Sequence, residues 1–69
     1  MSNVGKTLNE ATGVAVNDYI SFNSKTWKIY KVTALGLTKG FKAEEHNNDA
    51  NKIVLIGNRL SQATIVDAP

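Results

Sequence analysis

The uninterrupted stretch Lys25–Leu35 constrains the fold of this chain more than any other segment. It reads KTWKIYKVTAL and contains the only tryptophan, one of the two tyrosines and three lysines, without glycine or proline. Aromatic and β-branched residues are enriched in strands, whereas glycine and proline interrupt them. The stretch therefore predicts a long central β-strand.

Strict alternation along this strand cannot place all of its large apolar side chains on one face. Trp27 and Ile29 fall on one face, whereas Tyr30 and Val32 fall on the other. A β-bulge around Tyr30 would shift the register by one residue, so that Trp27, Ile29 and Val32 point inward and Lys28 points outward. Without a bulge, one face needs cover from the N-terminal segment or from a partner.

Shorter strands are predicted on either side of the central one. The alternating run Tyr19–Phe22 predicts a strand that forms a hairpin with Lys25–Leu35 through the turn Asn23-Ser24. Residues 37–44 predict a third strand. Gly40 weakens it and marks a point where another backbone or a ligand approaches closely.

The last third of the chain predicts a polar loop and two more strands. The loop covers residues 46–51, and the fourth strand covers residues 52–56, whose continuous apolar run suits burial on both faces or an interface. Gly57-Asn58 is a hairpin signal, so a fifth strand over residues 59–66 is expected to pair back on the fourth. A short helix over residues 59–63 is the alternative.

Residues 1–16 predict a flexible N-terminal arm, because they are rich in small and polar residues and Gly5 and Gly13 interrupt any regular pattern. Thr7 and Glu10 have the spacing of a capping box, although Gly13 leaves room for one helical turn only. Residues 14–16 are a candidate edge strand. The expected organisation is an arm at 1–16, a small β-barrel domain at 17–66 and a frayed C-terminus at 67–69.

Short strands separated by turn residues predict an all-β fold, a small five-stranded barrel or sandwich. Val16, Asp18 and the two strands that follow resemble the opening of SH3-like small barrels, which begin with a valine, a turn acid and an aromatic-rich strand pair. The resemblance covers roughly residues 16–66. It implies a five-stranded SH3-like barrel, and it departs from the usual pattern at Asn17, where glycine is common.

The residue types required by most catalytic and metal sites are missing or isolated. The 69 residues include no cysteine and one histidine, His46, which lies in the polar loop. This excludes a disulfide framework, a cysteine nucleophile, a thiolate zinc site and a histidine cluster. No phosphate-binding loop or serine nucleophile motif is present. We expect a protein that is not an enzyme and has no cofactor, metal ion or small-molecule substrate.

The apolar runs are short and the N-terminus is polar. No run approaches the roughly 18 residues that span a bilayer, and the first residues lack the apolar segment of a secretory signal. We expect a soluble protein that is intracellular or virion-associated and has no membrane partner.

The formal net charge is +2, but the charges are unevenly distributed. Five lysines and no acid lie between residues 19 and 43, and acids follow at residues 44, 45 and 49. Lysines interleaved with aromatic residues are typical of barrels that bind single-stranded nucleic acid. The candidate nucleic-acid-binding residues are Lys25, Lys28, Tyr30, Lys31, Lys39 and Lys42. The alternative interpretation is that Trp27 and Phe41 belong to the core and the lysines form an ordinary solvated face.

The expected function is a non-catalytic structural or interaction module that docks on a larger protein assembly or associates with itself. The arm, the central strand and the apolar run at residues 53–56 require more cover than so short a chain provides. The candidate protein-contact residues are Val14, Val16, Ile53 and Leu55. A cysteine-free β-module with a leader rich in asparagine and threonine resembles accessory proteins of tailed bacteriophages, such as capsid cement proteins, connectors or small host-factor-binding proteins. Nucleic-acid binding is the alternative function.

Overall fold

The computed structural model describes residues 3–35 and 38–69. These residues form one antiparallel sheet in the order β4-β3-β2-β1-β5, which confirms the all-β prediction. The strands are β1 (Tyr19–Phe22), β2 (Lys25–Leu35), β3 (Thr38–Glu45), β4 (Asn48–Leu55) and β5 (Thr64–Val66), and a 3-10 helix (Gly57–Ser61) precedes β5.

The predicted hairpin joins β1 to β2. Phe22 lies opposite Lys25, so the connection consists of Asn23 and Ser24. Their φ angles are 54° and 64°. Positive φ at both central residues is characteristic of a type I′ turn, whose twist matches that of the flanking strands. The turn prediction is confirmed.

The predicted bulge lies at the predicted place in β2. Ile29 lies opposite Ala43, whereas Lys31 lies opposite Lys42, so Tyr30 is an extra residue without a partner in β3. Trp27 and Ile29 are buried, at 3% and 0% exposure. The bulge therefore keeps the large apolar side chains before it on the core face and shifts the alternation of the residues after it by one position.

Val32 is less buried than expected. It lies opposite the buried Phe41 and so shares its face of the sheet, but it is 43% exposed. A pocket of about 270 Å³ separates Val32 from residues 11–14, which approach this end of the sheet. This open space leaves Val32 at the margin of the core.

The loop predicted for residues 46–51 is wrong beyond its first two residues. Asn47 adopts a positive φ of 68°, which permits a tight turn, and β4 begins at Asn48. Glu45 lies opposite Asn48, whereas Glu44 lies opposite Lys52, so residues 49–51 bulge out of the ladder. The third strand is predicted over residues 37–44, and β3 covers Thr38–Glu45. Residues 36 and 37 lie outside the described part of the chain.

The hairpin predicted between the fourth and fifth strands is also wrong. Gly57 has a positive φ of 58°, as expected of a turn, but it starts the 3-10 helix, and β5 pairs with β1 instead. Arg59 O accepts hydrogen bonds from the backbone N–H groups of Gln62 and Ala63, both at 3.1 Å. The alternative of a short helix was the better prediction for this segment, whose buried Leu60 joins the core.

Residues 3–11 pack against β5 and the core, which the prediction of an arm distinct from the domain did not anticipate. Gly5 N donates to Ile65 O at 2.8 Å, and Leu8 N donates to Ala63 O at 3.0 Å. Leu8 and Ala11 are buried in the same core cluster as the strands. This segment therefore covers the edge of β5 that β1 leaves free.

The edge strand predicted over residues 14–16 is wrong, because these residues lead into a turn. Asp18 N donates to Ala15 O at 3.2 Å, and Ala15 N donates to Asp18 Oδ2 at 3.0 Å. Asn17 has a φ of 82°, in the region that favours glycine and that asparagine tolerates better than most residues. Asn17 can therefore occupy this turn position without a glycine.

The buried apolar residues form one cluster. All five strands contribute to it, and so do the 3-10 helix and the N-terminal segment. Its members are Leu8, Ala11, Ile20, Trp27, Ile29, Phe41, Ala43, Leu55, Leu60, Ala63 and Ile65. Within the described residues, no helix is long and apolar enough to cross a membrane.

Replacing Leu8 by Ala tests whether the N-terminal segment belongs to the folding unit. Leu8 is fully buried, so its truncation should lower the free energy of unfolding by about 2–5 kcal/mol. Urea denaturation followed by Trp27 fluorescence measures the change. Asn9→Ala, at an exposed neighbour, is the matched control. Equal stability of the two variants would show that the segment behaves as the flexible arm that the sequence predicts.

Candidate interaction surface

The outer face of the sheet carries the residues that alternate with the buried ones. Directly opposite residues of neighbouring strands share a face. The register therefore defines rows of outward-facing residues that run across the strands. The first row contains Tyr19, Lys28, Glu44 and Lys52, and the second contains Lys31, Lys42 and Val54. None of these residues is buried, so this face lies open in the described part of the chain.

Four lysines and one tyrosine lie together on this outer face, and we call them the lysine face: Lys28, Tyr30, Lys31, Lys42 and Lys52. Lys31 and Lys42 are directly opposite, an arrangement that destabilises a sheet when both side chains are charged. The one ion pair among the described residues lies elsewhere, between Lys25 and Glu45. The positive charge of the second row is therefore not neutralised by a contact within the described chain.

Two of the predicted nucleic-acid-binding lysines lie away from this face. Lys25 Nζ lies 3.5 Å from Glu45 Oε1 at the end of the first hairpin. Lys39 Nζ donates to Ala11 O at 2.9 Å and to Asn9 O at 3.4 Å, so it ties the N-terminal segment to β3. Of the six predicted residues, the structure brings together Lys28, Tyr30, Lys31 and Lys42.

Lys52 also lies on the lysine face, although it is not among the residues predicted from the sequence. Its ammonium nitrogen lies 6.0 Å from the centroid of the Tyr30 ring and donates to Asp49 O at 2.6 Å. A cation at this distance from an aromatic ring is attracted weakly to it. No clear signal for this position existed in the sequence, because the continuous apolar run that follows Lys52 is consistent with either alternation.

The largest aromatic side chains are not available for stacking. Trp27 is buried, and its Nε1 donates to Phe22 O at 2.9 Å. Phe41 is also buried. The interpretation that both belong to the core is confirmed, and Tyr30 is left as the half-buried aromatic residue of the lysine face.

The predicted protein-contact residues differ widely in exposure. Leu55 is fully buried at 0%, so it is not available on the surface, and Ile53 and Val14 pack partly against the core. Val16 is exposed. The physical reason lies in the alternation of β4, which turns Ile53 and Leu55 towards the core.

The exposed apolar residues at the β4 end of the sheet are Val54 and Ile56, at 44% and 54%. Val54 lies opposite Lys42 in the second row of the outer face. Ile56 lies beyond it, beside Gly40. The sequence pattern could not select these two residues, because a continuous apolar run is equally consistent with either alternation.

The closest approach to Gly40 is made by a side chain of β2, whereas the sequence predicts another backbone or a ligand there. A Cβ added at Gly40 would lie 2.6 Å from Thr33 Oγ1 and 3.4 Å from Ile56 Cγ2. The Thr33 and Ile56 side chains therefore fill the space above this glycine. Because Gly40 has no side chain, Thr33 from β2 and Ile56 after β4 can cover the outer face of β3 at this position.

His46, expected in a solvated loop, is half-buried beside Tyr19. The two ring centroids are 6.0 Å apart, and the rings meet edge to face at 76°.

Across residues 3–35 and 38–69, no group of three or more acidic or histidine side chains is placed to hold a metal ion.

Comparisons of the chain with protein-family models, curated proteins and solved structures found no match.

Glu45 is the titratable group that its surroundings perturb most clearly. Asn51 Nδ2 donates to Glu45 Oε1 at 2.8 Å, and Lys25 lies near the same oxygen. The hydrogen bond from Asn51 is the largest effect and lowers the pKa of the Glu45 carboxyl; desolvation opposes it, and the nearby Lys25 lowers the pKa further. These contacts join the start of β2 to the bulge in β4.

Replacing Asn51 by Ala should make the protein less stable at neutral pH, and the difference from the native chain should shrink in acid. A folded-state pKa below that of the unfolded chain stabilises the fold above the ordinary carboxyl pKa of about 4.3, and this contribution is lost as the pH falls through the folded value. Urea denaturation from neutral pH to about pH 2 measures the difference. Asn48→Ala in the same hairpin is the control. A difference that grows in acid would contradict this role of Asn51.

Proposed function

We propose that this protein is a non-catalytic interaction module that docks on a larger protein assembly through the outer face of its sheet, at the β4 end. The observation that carries the proposal is the pair of exposed aliphatic residues on that face, Val54 and Ile56. Single exposed apolar residues are normal on protein surfaces. Here the two lie two residues apart, on or next to an edge strand, and beside the lysine face.

The side chains of the outer face, rather than the free backbone of β4, are proposed to make the contact. An edge strand offers backbone groups to other chains, and lysines and bulges are among the features that limit such pairing. Lys52 and the bulge at residues 49–51 supply both. Arg59 Nη1 also donates to Val54 O at 2.9 Å, so one backbone acceptor of β4 is already occupied.

The sheet is further proposed to close into an SH3-like barrel. Support comes from β2, whose first residues pair with β1 while residues from Trp27 to Leu35 pair with β3. The Tyr30 bulge lies inside this long strand, and bulges bend a strand and increase its twist, as barrel closure requires. The return of β5 to β1 and the single core cluster are consistent with such a barrel.

The proposed role without catalysis rests on the sequence, which contains no cysteine and one histidine and shows no catalytic motif. The proposal of an intracellular or virion-associated accessory protein, of the kind found in tailed bacteriophages, depends on the sequence resemblance alone.

Nucleic-acid binding through the lysine face is a second candidate function. The observation that favours it is the direct opposition of Lys31 and Lys42 without an ion pair. Phosphate groups would neutralise this charge and release counterions. The burial of Trp27 and Phe41 counts against stacked single strands, because base stacking on aromatic side chains supplies much of their binding energy.

A photoreactive amino acid at the outer face tests the proposed docking. Placed at position 54 or 56, it should yield a discrete adduct with one assembly protein in a lysate of the native source. Placed at Lys6, which is exposed beside β5 at the opposite end of the sheet, it should not. Mass spectrometry of the adducts identifies the contact. Equal adducts from all three positions, or none from positions 54 and 56, would contradict a specific surface at β4.

A further inference from the structure

The charged and aliphatic side chains of the outer face lie in adjoining rows. In the first row, Glu44 lies opposite both Lys28 and Lys52, so this row contains one acidic residue and two lysines. The second row contains Lys31 and Lys42 without a carboxylate. Val54 ends this second row, and Ile56 follows it on the same side. Positive charge and exposed aliphatic surface therefore meet at Lys42 and Val54.

The excess positive charge of the lysine face favours an anionic partner. Glu44 offsets part of the charge of the first row, whereas Lys31 and Lys42 repel each other across the second row. Complementary charges across an interface speed association and exclude partners of the wrong sign. A partner with carboxylates over Lys31 and Lys42 would supply the negative charge that the described chain does not place there.

The aliphatic residues distinguish between two kinds of anionic partner. A nucleic-acid backbone neutralises lysines but offers phosphates and sugars to Val54 and Ile56, which gain little from such contacts. A protein segment can offer carboxylates and aliphatic side chains together. The burial of Trp27 and Phe41 removes the aromatic platforms that would favour bases. The combination favours a protein partner.

We infer that the docking partner is an acidic protein segment that also carries aliphatic side chains, and that it lies extended along β3 and β4 on the outer face. This inference rests on the proposed function. Lys52, Val54 and Ile56 alternate on one face, so their spacing along the strand is about 7 Å. An extended segment matches this spacing if every second residue points towards the sheet and these residues are first acidic and then aliphatic. Its carboxylates lie beside Lys52 and Lys42, and its aliphatic groups lie on Val54 and Ile56.

A fluorescein-labelled peptide with two glutamates and then two valines at alternate positions, separated by threonines, is the probe for this inference. Fluorescence anisotropy at low salt should show saturable binding to the full chain, weaker at higher salt. Replacing the glutamates by glutamine, or the valines by serine, should each weaken binding by roughly five- to tenfold. Single-stranded and duplex DNA should bind more weakly than the acidic peptide.

Variants of the protein locate the site. Lys42→Gln and Ile56→Ser should each weaken binding of the peptide by roughly fivefold or more, whereas Lys6→Gln, a change of the same charge at a distant exposed lysine, should leave it unchanged. Circular dichroism confirms that each variant folds. Chemical-shift changes in nitrogen-15 spectra should fall on residues 42 and 52–56 and not on residues 5–8.

The outcomes separate this inference from the docking proposal. Adducts from positions 54 and 56 without glutamate-dependent peptide binding would overturn the acidic segment and leave the docking surface in place. Tight DNA binding that Lys42→Gln weakens, with no peptide binding, would overturn it in favour of the nucleic-acid candidate. Peptide binding that Lys6→Gln weakens as much as Lys42→Gln would show attraction to net charge alone and would also overturn it.

Discussion

The extra residue in the central strand is the constraint on which the arrangement of both sheet faces depends. Tyr30 has no partner in β3, so the alternation of β2 shifts by one position at that point. Ile29 before the bulge faces the core, and Lys31 after it faces solvent opposite Lys42. Without the shift, a regular ladder would turn Lys31 towards the core, because a slip of one residue exchanges the two faces of a strand.

The two ends of the sheet differ, and this difference determines where a partner is proposed to bind. At one end, β5 is covered by the N-terminal segment through backbone hydrogen bonds such as that from Gly5 to Ile65. At the other end, β4 has no further strand beside it among the described residues. Its outward side chains, Val54 and then Ile56, adjoin the lysines that the bulge keeps outside. The bulge and the uncovered end together produce a surface that is both basic and aliphatic.

Local patterns predicted the first half of the sheet well. Turn residues and alternation located the β1–β2 hairpin, and the conflict between Ile29 and Tyr30 in a regular strand located the bulge. The errors involve contacts between distant parts of the chain. Nothing near β5 specifies β1 as its partner, and Leu8 is buried in the core cluster although its neighbours are small and polar. For the candidate surface, the lysines at positions 28, 31 and 42 were predictable, whereas the outward pair on β4 required the observed register.

Deletion of Tyr30, compared with deletion of Lys28, tests the central role of the bulge most directly. Tyr30 is the extra residue of the ladder, so its deletion leaves Ile29 on the core face and Lys31 on the outer face of a regular strand, and the shortened chain should still unfold cooperatively in urea. Lys28 has partners in β1 and β3, so its deletion turns Trp27 or Ile29 away from the core, and that chain should lose cooperative unfolding and the dispersed nitrogen-15 spectrum of a folded protein. Equal loss of cooperative unfolding in the two deletions would contradict the account.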